Sequence, residues 1–167
     1  NYLAPEWEYC PTLDDIEVAK EIAAYLDIPF FTFDYVKEYE QKVLGYMYEW
    51  YKKWITPNPD IMCNSEIKFD EAIALWFDKV ATGHYARINE ENWTFHLLKW
   101  VDSNKDQSYF LAWLNKYQLS HSLFPIGHLE KPKVREIALE AGLPNALRKD
   151  SQWICFVGKV DFKKFLE

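Results

Sequence analysis

Asp60 and Cys63 stand three positions apart in "TPNPDIMCN", directly after a run that carries two prolines. A helix starting near Asp60 would bring the carboxylate and the thiol to one side within a turn. A helix N-terminus favours a thiolate, and the carboxylate could manage protons for the thiol or for a substrate. The same spacing also fits a helix cap followed by a core cysteine, since free cysteine is among the most buried residue types.

Three further stretches hold groups suited to recognition or catalysis. "ATGHYARI" offers Gly83, where backbone can approach a ligand closely, and His84, which could bond a phosphate or a base or simply be solvated in a turn. "DSNKDQSYFL" packs Asp102 to Gln107 into one polar run before an apolar segment; it reads either as a capped turn or as a polar recognition loop. "KDSQWICFVG" sets Cys155 among apolar residues, where spacing alone gives a core strand cysteine. Cys10 in "EYCP" has no partner motif and reads as structural.

The elements that must hold these groups alternate. "TLDDIEVAKEIAAYLDI" predicts a helix with Ile16, Ala19, Ile22, Ala23 and Leu26 on one face and Thr12 as N-cap. "IPFFTFD" (28–34) predicts a buried strand. Val36, Tyr39, Val43, Tyr46, Met47 and Trp50 mark a longer helical stripe. The prolines of "TPNPD" predict a rigid loop, followed by a capped helix over "NSEIKFDEAIAL". "DKVATGHY" predicts a strand entering a loop, and "ARI" with "TFHLLK" a hairpin around "NEEN". "DQSYFLAWL" predicts a helix, as does "KPKVREIALEAGL", with Pro132 in its first turn and Gly142 past its end. "ICFVG" predicts a strand. Alternating strands and helices predict an α/β fold with a mainly parallel sheet. Ligands in such folds sit at the carboxyl ends of strands, which marks the "TGHY" loop.

Composition bounds the function. A chain of 167 residues suits one domain with a real core. No apolar run approaches the ~18 residues of a membrane span, and no signal peptide opens the chain, so the expected location is cytoplasmic. Three cysteines do not make a disulfide scaffold. Net charge is −7; residues 1–60 carry 12 acids and 5 bases, whereas residues 130–167 carry 6 acids and 8 bases. A nucleic-acid partner usually leaves a basic footprint, and here only the last third could supply one.

"TPNPDIMCNSEIKF", "ATGHYARI", "LLKWVDSNKDQSYFL", "SLFPIGHLEKPKVREIA" and "RKDSQWICFVG", in that order, resemble the tRNA-specific 2-thiouridylase family of sulfurtransferases. The resemblance runs from about Glu8 to the last residue. It implies a Rossmann-like domain of the PP-loop ATPase type, with helices on both faces of the sheet. It implies ATP with Mg2+, tRNA as substrate, a sulfur-relay protein or cysteine desulfurase as partner, and a disulfide bond among the family's features. By motif, Cys155 would carry a persulfide, Cys63 would be the second cysteine that helps release its sulfur, and Asp60 the nearby acid or base. Asn58, Pro59 and Asp60 would meet the target base. His84 would lie near the tRNA, Lys105, Asp106 and Gln107 would touch it, and Gly83 would line the ATP site. An iron–sulfur cluster held by Asp60, Cys63 and Cys155 is the rival use of the same residues. Other readings are a non-catalytic remnant that keeps contacts to tRNA or to a sulfur carrier, and a thiol redox module.

Two departures qualify the resemblance. The family's Ser-Gly-Gly-x-Asp-Ser phosphate loop does not occur in this sequence, and neither do its central and C-terminal β domains. The chain therefore reads as a partial catalytic domain over 1–167, truncated at its N-terminus, with exposed sheet edges and no adenylating activity alone. In addition, Trp54, Trp76, Trp100 and Trp153 stand where the family pattern has glycine. The chain has 5 glycines and 8 tryptophans, against about 12 glycines expected from average usage. The expectation is that UGA codons read as glycine by the source have been translated as tryptophan; true substitution in a decaying paralogue is the alternative.

Overall fold

The computed structural model describes residues 11–75, 77–102 and 106–148, with side chains from residue 14 onward. They fall into two compact units, one from Asn1–Val36 with Arg135–Glu167, the other Lys37–Val134.

In the first unit, α1 (Pro11–Tyr25) starts one residue ahead of Thr12, so the expected cap lies inside the helix. Helix α7 is Lys131–Glu140. It ends as the sequence predicts, in a Schellman motif. Gly142 has φ 65°, its N–H bonds Leu139 O at 3.0 Å, and Leu143 N–H bonds Ala138 O at 3.0 Å. The Tyr25 hydroxyl donates to Ala141 O at 2.7 Å. Residues 28–34 are not a buried strand. They form no strand, and Ile28, Phe31 and Phe33 are all more than half exposed. Their apolar pattern fits a strand covered on both faces, and no described residue pairs with this one.

The second unit is built on two long helices that each change register midway. The first runs through α2 (Val36–Tyr39), a π-helical stretch Glu40–Leu44 and α3 (Gly45–Lys52). Of its predicted stripe, Tyr39, Val43 and Met47 are buried, Tyr46 and Trp50 are partly so and Val36 is exposed; Leu44, outside the stripe, is buried as well. The second runs through α4 (Pro59–Cys63), a π-helical stretch Asn64–Phe69 and α5 (Asp70–Ala74). It begins before "NSEIKF", because Asn58 caps it and Pro59, which needs no amide partner there, opens it. Asn64 and Ser65 are therefore not caps but buried mid-helix residues. Lys42 bridges the two helices, with Nζ 3.0 Å from Glu71 and 3.8 Å from Glu66.

Strand β1 (Val80–Ala81) pairs in parallel with β4 (Ser122–Leu123), and β2 (Arg87–Glu91) pairs antiparallel with β3 (Thr94–Leu98). The fold class is α/β. Among the described residues the parallel component is this one short pair; the wider parallel sheet expected from the sequence is not among them. The hairpin turns at Asn92–Trp93, not around Asn89–Asn92, and both turn residues have positive φ, 49° and 61°. "DQSYFLAWL" forms only a 3-10 turn, Ser108–Leu111. It is followed by α6 (Lys116–Ser120), whose Asn115–Gln118 capping box went unread in the sequence. Phe69, Ala86, Leu111, Leu114 and Leu119 form one core cluster. Gly127 seals it: a Cβ there would fall 1.7 Å from the Ala86 carbonyl oxygen.

Candidate active site

Asn58 sets the geometry of the Asp60–Cys63 pair. Its backbone is extended (φ −116°, ψ 96°), and its Oδ1 accepts from the N–H groups of Asp60 at 3.1 Å and Ile61 at 3.4 Å. Its own N–H donates to the Tyr46 hydroxyl at 3.4 Å. That leaves the Asn58 Nδ2 hydrogens as its donors for a ligand. Asp60 and Cys63 then share one helix, a turn apart, as the spacing predicts. Asp60 is partly exposed, whereas Cys63 is fully buried (0% exposed). In this conformation the carboxylate can meet a ligand directly, and the thiol is reached only if its cover opens.

Hydrogen bonds join this helix to two more of the predicted segments. Asn64 Nδ2 donates to Phe110 O at 3.0 Å, while Asn64 Oδ1 is buried without a hydrogen-bond partner among the described residues. Gln107 and Tyr85 exchange two bonds: Tyr85 N–H to Gln107 Oε1 at 3.0 Å and Gln107 N–H to Tyr85 O at 3.1 Å. The "KDQ" loop is thereby fixed to the "TGHY" loop. Asp106 accepts from Trp100 N–H at 3.2 Å and from Ser108 N–H and Oγ, both at 3.0 Å. Burial would raise its pKa, but these bonds and Lys99 outweigh it and hold the carboxyl below its ordinary value. The Asp106 carboxylate and the Gln107 amide oxygen thus build the loop, which leaves Gln107 Nε2 and the backbone to face outward chemistry.

Just past the end of β1, a Cβ on Gly83 would meet none of the described residues within 4 Å, so the backbone there borders open space among them. His84 Nδ1 lies 2.7 Å from Thr82 Oγ1. Burial, with help from Lys68, pushes its pKa down to about 4; it is a neutral hydrogen-bonding group near pH 7, not a cation for phosphate. Trp100 is 5% exposed, stacks on Tyr85 at 4.2 Å and donates from Nε1 to Leu129 O at 2.7 Å. Its backbone has no positive φ, unlike that of Trp54 (φ 57°) and Trp93 (φ 61°). Trp54 therefore matches the glycine expectation, Trp100 is a packed core residue, and Trp93 is a glycine-type position that the sequence reading missed. Lys105, Cys155, Cys10, Trp76, Trp153 and the "ICFVG" segment lie outside the described residues.

A family model described as the tRNA methyl transferase HUP domain matches residues 2–159. The chain belongs to this family. The Rossmann-like α/β class of the HUP domain accords with the β1–β4 crossover and with the placing of Gly83 and His84 at the end of β1. Among curated proteins, the chain is 48% identical over 165 residues to a tRNA-specific 2-thiouridylase MnmA of Alkaliphilus oremlandii, covering 96% of this chain and 45% of that protein. It is 50% identical over 163 residues to the protein of that name from Nitrosomonas eutropha, covering 95% and 45%. A Streptococcus thermophilus protein of the same name is 46% identical over 166 residues, covering 96% and 44%. This HUP-domain chain thus spans less than half the length of these relatives.

Among the described residues of the domain, no group of three or more His, Cys, Asp or Glu could hold a metal ion. No described helix is long and apolar enough to cross a membrane.

Proposed function

We propose that this chain is the part of a tRNA 2-thiouridylase that presents the target uridine to sulfur. The observation that carries the reading is the capped helix α4. It places Asn58, Asp60 and Cys63 on one short segment, tied through Asn64 to the loop that carries Asp106 and Gln107. The relatives' shared name agrees with it.

The chemistry fits the groups present. Asn58 Nδ2 and the partly exposed Asp60 offer a donor and an acceptor to the edge of a base. Asp60 stands one helical turn from the Cys63 thiol and can take its proton. ATP, with Mg2+, supplies the activation that turns the uridine 2-oxygen into a leaving group; the open surroundings of Gly83 at a strand's carboxyl end fit a nucleotide. The terminal sulfur of a persulfide on Cys155 bonds to C2 as the C2–O bond breaks. The Cys63 thiolate then attacks the inner sulfur, breaking the S–S bond. Sulfur stays on C2, and Cys63 and Cys155 are left as a disulfide that a cellular thiol reductant resets. A cysteine desulfurase or sulfur-relay protein would load the persulfide, and the whole would act in the cytoplasm. The chain would be the partial catalytic domain, its relatives' further β domains lying beyond it. An iron–sulfur cluster would draw on the same Asp60, Cys63 and Cys155, of which only Asp60 and Cys63 are among the described residues.

The test is thiolation of an unmodified tRNA transcript by the gene product, with ATP, Mg2+ and a persulfide donor. Nucleoside mass spectrometry reads 2-thiouridine. Cys63→Ser should abolish it while tRNA binding persists. Wild-type product from Cys63→Ser would remove Cys63 from this role. Methylated uridine, and no thiolated uridine, in a parallel reaction supplied with a methyl donor would replace the reading with the methyl transfer in the family's description.

A further inference from the structure

Tyr109 is the exposed member of an otherwise pinned segment. On its N-terminal side, Ser108 is held by Asp106 through both backbone and hydroxyl. On its C-terminal side, the Phe110 carbonyl accepts from Asn64 Nδ2, and Leu111 is 1% exposed. Tyr109 itself remains 54% exposed. Its ring lies against Phe110 with centroids 4.0 Å apart and planes 35° from parallel. The backing ring and the fixed backbone leave one stiff aromatic face open to solvent.

Its position is between the two segments assigned to substrate. The 3-10 turn that carries it packs against α4. Burial first, then the carboxylates of Asp60 and Asp106, raise the phenol pKa, so both acids act on it across the site. Two carboxylates repel a phosphate backbone and tolerate a neutral base. A flat, solvent-facing aromatic beside them therefore suits the π-face of a nucleobase better than a strand backbone.

We propose that the Tyr109 ring is a stacking platform for one base of the tRNA anticodon loop, next to the uridine met by Asn58 and Asp60. The inference rests on the tRNA reading above and adds a contact that the sequence motifs did not assign. Tyr109 acts through its face, so the hydroxyl is dispensable and the ring is not.

The experiment measures binding of a fluorescein-labelled anticodon stem–loop hairpin to the chain by anisotropy. Stacking on an aromatic is worth ~1–3 kcal/mol per base, so Tyr109→Ala and Tyr109→Leu should each weaken binding about 5- to 150-fold. Tyr109→Phe should bind like the parent. Hairpins made abasic at each loop position in turn supply a readout that a merely structural role would not move. One of them should bind the parent weakly and lose nothing more on Tyr109→Ala, because the base and the ring report one contact. Circular dichroism and thermal melting establish that each variant is folded. Unchanged binding by folded Tyr109→Ala, or losses that add at every abasic position, would overturn the platform while leaving the tRNA reading intact. Failure of the unsubstituted chain to bind the hairpin would overturn both, and that arm alone shows it.

Discussion

Trp54→Gly and Trp93→Gly should make the protein more stable, although each removes the largest side chain in the repertoire. Both residues lie in the left-handed region, at φ 57° and 61°. For a residue with a Cβ that conformation costs roughly 1–2 kcal/mol. Trp54 is 96% exposed and Trp93 90% exposed, so truncation forfeits almost no packing. Glycine gives back part of the gain, because its unfolded chain has more freedom to lose, by roughly 0.5–1 kcal/mol. The net expectation is about 0.5–1 kcal/mol per site. With a urea m-value of ~2 kcal/mol/M, the double variant shifts the midpoint upward by about 0.5–1 M. Urea melts followed by circular dichroism read this, with Trp54→Ala and Trp93→Ala as controls that shed the indole and keep the Cβ. Trp100→Gly is the opposing control: it vacates a buried, stacked and hydrogen-bonded position and should cost about 3–5 kcal/mol. Alanine variants as stable as the glycine variants would refute the reasoning. If it holds, the gene should carry TGA at codons 54 and 93 and TGG at codon 100.

Acid should weaken the fold through His84. Its pKa is about 4 when folded, against ~6.5 unfolded, so the unfolded chain binds more protons between those values. Stability is full above the unfolded pKa and falls as pH drops from about 6.5 to 4, by at most about 3 kcal/mol; His84→Gln should flatten that part of a stability-against-pH profile. Gly127→Ala should destabilise by several kcal/mol, since its Cβ would meet a backbone oxygen that has no rotamer to escape into; a thermal midpoint within a degree of wild type would count against the packing described for that turn.

The parts of the fold that could be read in the sequence were those set by local rules. The buried Tyr39, Val43 and Met47 of the 36–50 stripe, the Gly142 helix end and the proximity of Asp60 to Cys63 follow from periodicity, backbone permissiveness and helical spacing. The misread parts depended on neighbours. Residues 28–34 have the composition of a covered strand, and composition does not say what covers them. "DQSYFLAWL" has helical periodicity, yet Asp106 and Asn64 capture its ends and hold it to a single 3-10 turn. At the site, motif order located the segments, but only the hydrogen bonds showed that Asp106 and Gln107 spend their oxygens on the loop. Tyr109 had no signal beyond being aromatic. Trp93 did have one: a hairpin turn opening with Asn asks for glycine next.

The π-helical stretch at Asn64–Phe69 divides its helix into a front half bearing Asp60 and Cys63 and a rear half, Asp70–Ala74, whose Ile73 packs against the core. Each residue of an α-helix turns the chain by about 100°, and a π-bulge amounts to one residue inserted into that count. The aim of the front half is therefore fixed by length as well as by sequence. Deleting one residue of this stretch would let the ladder close as a regular helix with its two halves still aligned, whereas straightening the bulge at constant length would swing the carboxylate and thiol about 100° away, with every functional side chain still present.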